Sequence, residues 1–268
     1  MISGTSAKVL SAENLSASYN KKQVLYGINT SFSDSNFYCI IGKNGSGKST
    51  FLELLSGVSV PTLKITAGEC CLDGKNIKSF KSRELAKNIS FLPQNETYAW
   101  NYQVFDAIKA GRYAHSKNPF FYEPDDNSKV MEAMEKIGIT ELKDRYIYEL
   151  SGGEMQQVLI ARALTQEAKI IILDEPFSHL DIGLQFKLMK MLKDLAHQNG
   201  LTVIMSLHEI NLAPVYADRL LLFSDGKLLA DGNVEDVFTE EKLSEAFSAK
   251  LKIFNHPYLN APQVFVEG

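Results

Sequence analysis

A glycine-rich run at positions 42–49 carries the clearest chemistry in the sequence. The run, Gly-Lys-Asn-Gly-Ser-Gly-Lys-Ser, fits the pattern G-x-x-x-x-G-K-[ST], in which backbone N–H groups surround phosphate oxygens. Lys48 can reach the β- and γ-phosphates of a nucleotide, and the Ser49 hydroxyl can bind Mg²⁺. We therefore predict a nucleotide-phosphate site with contacts from Gly42, Asn44, Gly45, Ser46, Gly47, Lys48, Ser49 and Thr50.

A second candidate lies at residues 170–175, where four apolar residues are followed by two acidic ones. The apolar part predicts a buried strand, and ligands gather at the carboxyl ends of parallel strands. In this arrangement Asp174 would hold Mg²⁺, and Glu175 would orient and deprotonate the attacking water. Taken alone, the segment would more simply be a strand that ends at a solvated acidic turn. The phosphate loop in the same chain favours the catalytic interpretation.

The composition limits the possible partners. The chain has 268 residues, a formal net charge of −4 and a pI of about 5.8, so no basic surplus indicates a nucleic-acid partner. No apolar run is long enough to cross a bilayer, and residues 1–15 lack the apolar stretch of a signal peptide. The three cysteines and five histidines show no metal-ligand spacing. We expect a cytosolic chain with reduced thiols.

The hydrophobic pattern predicts the elements that must position these motifs. Short strands are expected before residue 37, and longer apolar runs predict strands at 37–41, 68–72, 89–92, 169–174, 201–206 and 220–223. Helical spacing predicts helices at 49–55, 104–110, 128–137, 152–164, 184–197 and 209–215, with a loop at 118–127. Strand and helix alternate after residue 165, which is typical of parallel strands joined by crossover helices. We therefore predict an α/β core formed by residues 1–94 and 165–268, with a helical insertion at 95–164.

Residues 150–154, Leu-Ser-Gly-Gly-Glu, form a capping box at the start of the helix predicted at 152–164. A glycine-containing helix start presents N–H groups and a positive dipole end, which suit a phosphate. The segment also resembles the LSGGQ signature of ABC ATPases. That resemblance implies a P-loop (RecA-like) core with an N-terminal antiparallel β subdomain, ATP and Mg²⁺ as cofactors, and a head-to-tail dimer. In such a dimer Ser151, Gly152 and Gly153 contact the ATP held by the other subunit.

Further residues resemble this family's motifs in order along the chain. Gln94 resembles the Q-loop glutamine at Mg²⁺ and the attacking water, His208 the switch histidine at the γ-phosphate, and Asp181 the D-loop aspartate at the dimer interface. Tyr19 resembles the aromatic residue that stacks on adenine. Singly, Gln94, His208 and Tyr19 would be interpreted as a polar loop residue, a satisfied histidine and a core aromatic. The departures from the family pattern are Gln157, Phe177 and His179.

Residues 104–115 and 208–211 resemble the ATPases of iron–siderophore, haem and cobalamin importers, with Ala114 in place of a proline. The resemblance implies a dimer, either a homodimer or a pair with a paralogue, at the cytoplasmic face of the membrane. This dimer would be bound to transmembrane permease subunits and served indirectly by a substrate-binding protein. Residues 94–112 would face the permease, and no nucleic acid would be bound. The alternatives are a metal-ion or other ABC transporter, a soluble ABC ATPase, and a non-hydrolysing sensor. A soluble ABC ATPase needs a long coiled-coil insertion between the phosphate loop and the signature, and residues 95–150 are too few for one and show no sustained heptads. The presence of Glu175 and His208 argues against a non-hydrolysing sensor.

Overall fold

The computed structural model describes residues 8–94, 101–116, 125–178, 180–259 and 261–267. Its strands are β1 (Lys8–Tyr19), β2 (Lys22–Ser33), β3 (Phe37–Ile41), β4 (Leu63–Leu72), β5 (Lys75–Asn76), β6 (Ile89–Leu92), β7 (Ile170–Asp174), β8 (Thr202–Ser206), β9 (Arg219–Ser224), β10 (Lys227–Gly232), β11 (Leu251–Asn255) and β12 (Pro262–Val266). Its α-helices are α1 (Lys48–Ser56), α2 (Ser82–Ala86), α3 (Val104–Lys109), α4 (Asp126–Ile137), α5 (Gly152–Thr165), α6 (Ile182–Asn199), α7 (Ala213–Tyr216), α8 (Val234–Val237) and α9 (Glu240–Phe247).

A six-stranded sheet forms the centre of the molecule, in the order β10-β9-β3-β8-β7-β6. All its pairs are parallel except β9 with β10. Every residue of β3, β7 and β8 is buried, as expected of parallel strands covered on both faces. The carboxyl ends of β3, β6, β7 and β8 therefore lie along one edge of the sheet, where the predicted site residues follow them.

A second, antiparallel sheet has the order β2-β1-β4-β5. The prediction of short strands in this region was wrong, because β1 and β2 are each 12 residues long. Irregularities in the β1–β2 register, such as the one between Ala12 and Leu15, interrupt the apolar alternation that would have indicated long strands. Strand β4 also begins earlier than predicted, at Leu63.

Two hydrophobic cores flank strand β3, and successive side chains of the strand point alternately into one core and the other. Tyr38 and Ile40 belong to the core that includes Phe51 of α1 and buried residues of β1 and β2. Phe37, Cys39 and Ile41 belong to the other core, which includes buried residues of the helices α3–α6. The loop after β3 is thus held between two packed layers. Cys39, Cys70 and Cys71 are buried and form no disulfide among the residues that the structure describes.

The predicted helices between β6 and β7 are present in the described residues. Helix α5 packs against α3 and α4. The predicted loop at 118–127 was wrong at its end, because Asp126 and Asn127 open α4, and residues 117–124 lie outside the described residues. The helix predicted at 209–215 is a 3₁₀ turn at Ile210–Leu212 followed by α7. The fold class, an α/β core with an antiparallel β part and a helical insertion, is confirmed.

Arg112 corrects the expectation that the whole segment 94–112 faces a membrane partner. Its side chain is buried, with Nε 2.8 Å from Asp126 Oδ1 and Nη1 2.7 Å from Glu167 Oε2. Nη1 also donates to the Thr165 carbonyl at 3.0 Å. The pairing explains the burial, since a buried guanidinium needs both counter-charges and acceptors. Arg112 therefore joins α4 to the end of α5. No helix in the described part of the chain is long and apolar enough to span a membrane.

Candidate active site

The glycine-rich loop between β3 and α1 borders an open cavity of about 490 Å³. The predicted residues in its lining are Asn44, Gly45, Gly47, Lys48, Ser49, Thr50, Gln94 and Glu175. Helix α1 begins at Lys48 with no side-chain cap and no acidic residue in its first turn, among the residues that the structure describes. The first N–H groups of α1 and the positive end of its dipole are therefore available to an anion. Ser46 Oγ is also buried and has no hydrogen-bond partner among the described residues.

Lys48 places a buried cation at this cavity. Only 5% of the residue is exposed, and Nζ donates to the Gly42 carbonyl at 2.9 Å. Nζ also lies 3.8 Å from Glu175 Oε1. Burial lowers the pKa of Lys48 below its ordinary value, while Glu175 and Asp174 oppose that shift. An arriving phosphate can take the place of the Gly42 carbonyl as the partner of the ammonium group.

Asp174 and Glu175 follow one another at the end of β7 and are held by the same side chain. The Ser206 hydroxyl, at the end of the neighbouring strand β8, donates to Asp174 Oδ1 at 2.6 Å. The same Oγ accepts the backbone N–H of Glu175 at 2.8 Å. Glu175 adopts a φ of 46°, which is uncommon for a residue with a side chain and is frequent at functional sites. Sequence reasoning missed Ser206; the signal was a polar residue at the end of a strand whose centre, residues 203–205, is apolar.

Gln94 and Glu175 are 81 residues apart in the chain and meet at the sheet edge. Gln94 Nε2 donates to Glu175 Oε2 at 2.7 Å, so the two carboxylate oxygens face Gln94 and Lys48 respectively. Glu175 also lines a neighbouring cavity of about 300 Å³ together with the exposed His208. The structure therefore brings Lys48, Gln94, Glu175 and His208 around one region.

Three of the predicted residues carry oxygen atoms of the kind that would hold Mg²⁺. Ser49 offers a hydroxyl, Asp174 a carboxylate and Gln94 an amide oxygen, which are the hard donors that Mg²⁺ prefers. The set fits Mg²⁺ because few protein ligands leave room for phosphate oxygens and water. The described residues contain no cluster of three or more His, Cys, Asp or Glu that would hold a metal by itself.

The signature residues lie outside this cavity. Ser151 caps α5, and its Oγ accepts the Glu154 N–H at 3.3 Å. Glu154 Oε2 in turn accepts the Ser151 N–H and hydroxyl, both at 2.8 Å. These hydrogen bonds, helped by Arg145, lower the pKa of Glu154 below its ordinary value. Ser151 is exposed, and Gly152 and Gly153 form the first turn after it.

Comparison with known proteins decides the family. A family model described as ABC transporter matches residues 25–178, more than half of the chain. The protein belongs to the ABC transporter family. The ferric enterobactin transport ATP-binding protein FepC of Escherichia coli (strain K12) is 35% identical over 261 residues, which cover 97% of this chain and 94% of FepC. As a cassette of this family, the protein is an ATPase that binds nucleotide.

Two solved structures place the fold among ABC cassettes. A structure described as an inward-facing metal-chelate type ABC transporter is 28% identical, has a TM-score of 0.83 and covers 98% of each chain. The dimeric cassette MJ0796 bound to ADP and Pi has a TM-score of 0.74 and covers 84% of this chain and 98% of its own. At 24% identity the second likeness shows the fold alone.

Tyr19 and Asp181 are also absent from the lining of the cavity beside the phosphate loop, as is the buried Asp174. The Tyr19 hydroxyl donates to Glu53 Oε2 at 2.6 Å, whereas Tyr26, which sequence reasoning did not select, lines the cavity. Asp181 caps α6, since its Oδ1 accepts the Leu184 N–H at 3.0 Å. The nucleotide roles of Tyr19 and Asp181 stay predictions. Of the departures, Phe177 is buried beside the His208 cavity, Gln157 lies on α5, and His179 lies outside the described residues.

Proposed function

We propose that this protein is the ATP-hydrolysing subunit of an importer for iron–siderophore, haem or cobalamin type substrates. The near full-length similarity to FepC, named for ferric enterobactin transport, supports this subclass, as does the likeness to a metal-chelate type transporter. The observation that best supports ATP hydrolysis is the position of Glu175, whose carboxylate lies between Lys48 and Gln94 beside the phosphate loop. A carboxylate placed there can act on a water beside the terminal phosphate.

ATP would bind with its phosphates in the loop between β3 and α1. The N–H groups of α1 and the Lys48 ammonium group would meet the phosphate oxygens, and Asn44 to Thr50 would line the triphosphate. Ser49, Asp174 and Gln94 would hold Mg²⁺, which neutralises phosphate charge when it is bound. Most of the catalytic gain in such a site comes from positioning and from charges that are already in place.

Glu175 would orient the attacking water and take its proton. Gln94, which now donates to Glu175 Oε2, would exchange this contact for one to the water or the phosphate. His208 would approach the γ-phosphate from the neighbouring cavity that it shares with Glu175. Ser206 would keep Asp174 and the Glu175 backbone in place during this exchange, because it contacts both.

The second half of the site would come from another copy of the chain. The exposed helix start at Ser151, with Gly152 and Gly153, would close over the ATP of the partner subunit, and Asp181 would contact the partner across the interface. We propose a homodimer at the cytoplasmic face of the membrane, attached to permease subunits through the insertion at 95–164. A substrate-binding protein would deliver the cargo to the permease.

Uptake by reconstituted vesicles tests this function. The chain would be co-purified with its permease subunits, placed in vesicles with ATP, and supplied with the substrate-binding protein and labelled ferric siderophore, haem or cobalamin. ATP-dependent uptake of one of these, lost in the Lys48→Ala variant, is the expected result. Uptake of sugars or amino acids instead would overturn the importer subclass while leaving the ATPase assignment intact.

A further inference from the structure

The turn between β9 and β10 is built from two residues, Asp225 and Gly226. Strand pairing resumes on both sides of it, since Ser224 is opposite Lys227. Asp225 has a φ of 48° and Gly226 a φ of 76°, and positive values at both central residues define the tight type I′ hairpin. The turn comes more than 175 residues after the phosphate loop, yet both residues line the same cavity.

This turn contacts the phosphate loop directly. The Gly226 N–H donates to the Ser46 carbonyl at 3.0 Å, and the Gly226 carbonyl accepts the Tyr26 N–H at 2.9 Å. Asp225 Oδ1 lies 3.0 Å from Nζ of Lys43, the second residue of the loop. Gly226 is therefore hydrogen-bonded on one side to the phosphate loop and on the other side to β2.

The fit around Gly226 leaves no space for a side chain. A Cβ added at this position would lie 2.3 Å from the Val24 carbonyl oxygen and 2.9 Å from Tyr26 Cδ2. Backbone and a ring surround it, so the clash could not be relieved by turning a flexible side chain. A side chain here would push the turn away from β2, and with it the Gly226 N–H that donates to the Ser46 carbonyl.

The same chain contains the same turn without these contacts. Asp73 and Gly74 join β4 to β5, and their φ values are 48° and 74°. A Cβ added at Gly74 would meet nothing within 4 Å among the described residues. The two Asp-Gly turns share sequence and backbone conformation, and they differ in whether the phosphate loop lies against them.

We propose that the Asp225–Gly226 turn is a positioning element of the nucleotide site, which holds the phosphate loop in its anion-binding conformation before ATP arrives. The inference rests on the proposed role of that loop in binding ATP. Ser46 lies at the centre of the loop, and fixing its carbonyl also fixes the peptide plane that carries the Gly47 N–H. A loop that is ordered in advance loses less conformational entropy when the ligand binds.

Matched variants of the two turns test this role. In the full chain, Gly226→Ala should weaken ATP binding by about tenfold, the cost of leaving roughly one residue of the loop to be ordered on binding. Gly74→Ala carries the same positive-φ penalty and should change ATP affinity by less than about twofold. In steady-state assays Gly226→Ala should raise KM for ATP, while kcat at saturating ATP stays within about threefold.

A second pair of variants avoids steric clash, in case Gly226→Ala fails to fold. One glycine inserted between Asp225 and Gly226 lengthens the turn without adding a side chain, and hairpin loops tolerate such insertions. It should raise Kd for ATP about fivefold or more, whereas the same insertion between Asp73 and Gly74 should not. Melting temperature without nucleotide shows that each variant is folded.

The outcomes separate this inference from the proposed function. If the wild-type chain itself binds no ATP, the assignment of the phosphate loop fails. If wild type binds ATP and both Asp225–Gly226 variants match it, the turn plays no part and this inference is overturned. Equal weakening by the Asp73–Gly74 variants would likewise overturn it, because the effect would then follow from general loss of stability.

Discussion

Two helix N-termini in this protein are suited to phosphate, and they are prepared in opposite ways. At α1 the cap is a glycine, the first turn holds no acid, and the described residues place no side chain on the free N–H groups. At α5 the cap is Ser151, and the Glu154 carboxylate accepts hydrogen bonds from both the N–H and the hydroxyl of Ser151. One helix start is left open within a cavity, and the other is closed by its own residues at the surface.

The two capping arrangements suit different ways of binding phosphate. An open N-terminus inside a cavity can bind an anion at once, because its donors have no competing partner. A self-capped N-terminus is stable while exposed. The donors engaged by the cap, here the Ser151 N–H and hydroxyl and the Glu154 N–H, must be released before they serve a ligand. The α1 end therefore suits ATP binding by the single chain, whereas the α5 end suits a contact that forms only when a second subunit arrives.

Removing the carboxylate of Glu175 should abolish most ATP hydrolysis at the site next to α1 and leave nucleotide binding unchanged. Glu175→Gln keeps the size of the side chain but cannot accept a proton, so hydrolysis should fall by roughly 10²–10⁴-fold, the usual size of general-base catalysis. ATP-bound dimer should accumulate, and light scattering with ATP would detect it. Turnover within a few-fold of wild type would contradict the assignment of Glu175 as the base.

Blocking the N-terminus of α5 should reduce turnover but leave ATP binding by the monomer intact. Ser151→Arg places a bulky side chain where the partner's phosphate would lie, and we expect turnover to fall by about 10²-fold, as when donors to a developing charge are lost. Nucleotide binding by the monomer should stay near wild type. Mixing Ser151→Arg with Lys48→Ala subunits should restore at most one composite site.

Ser128→Arg is the matched control for this variant, since Ser128 is an exposed serine in the first turn of α4. It should leave turnover unchanged. Loss of ATP binding in monomeric Ser151→Arg would indicate that the signature acts on the nucleotide of its own chain, and the contrast between the two helix starts would then fail.

Both helix N-termini were largely predictable from sequence, because their parts are local. The strand, loop and helix that hold Lys48 are contiguous, and the capping box at Ser151 spans four residues. What could not be predicted depends on strand order. Ser206 meets Asp174 only because β8 lies beside β7, and Gly226 meets Ser46 only because β9 lies beside β3. The burial of Arg112 likewise depends on Asp126 and Glu167, which are remote in sequence.

Ser206 offers a finer test of the open side. Ser206→Ala leaves the Glu175 N–H without an acceptor and frees Asp174, so we expect kcat to fall about tenfold, in line with ~1–3 kcal/mol for an unsatisfied buried group. Steady-state kinetics should show KM for ATP changed by less than about threefold. Ser90→Ala is the control, because Ser90 is equally buried on β6 and donates only to the Ala163 carbonyl at 3.2 Å. Equal losses of kcat in both variants would show a general packing effect.

The smallest expected effect concerns the charge at the closed end. Glu154 places a carboxylate in the first turn of α5, where the partner's γ-phosphate would approach. Glu154→Gln can keep the capping box, because a glutamine oxygen also accepts the Ser151 N–H. It removes a negative charge that repels phosphate, so the ATP-bound dimer should tighten by about two- to fivefold at low salt, the scale of a single charge at a helix end.

The comparison is made in the Glu175→Gln background, where ATP is not consumed, by measuring the dimer dissociation constant with and without Glu154→Gln. The hydrogen bonds from Ser151 lower the pKa of Glu154, so the carboxylate is charged at neutral pH. The gain from Glu154→Gln should therefore be complete above that lowered pKa and disappear as pH falls through it, since protonated Glu154 carries no charge. Salt should also reduce the gain by screening.

Glu241→Gln removes a similar first-turn charge from α9 and should leave the dimer unchanged. A dimer that weakens with Glu154→Gln would mean that the carboxylate itself contacts the partner, and the α5 end would then not act as a phosphate site.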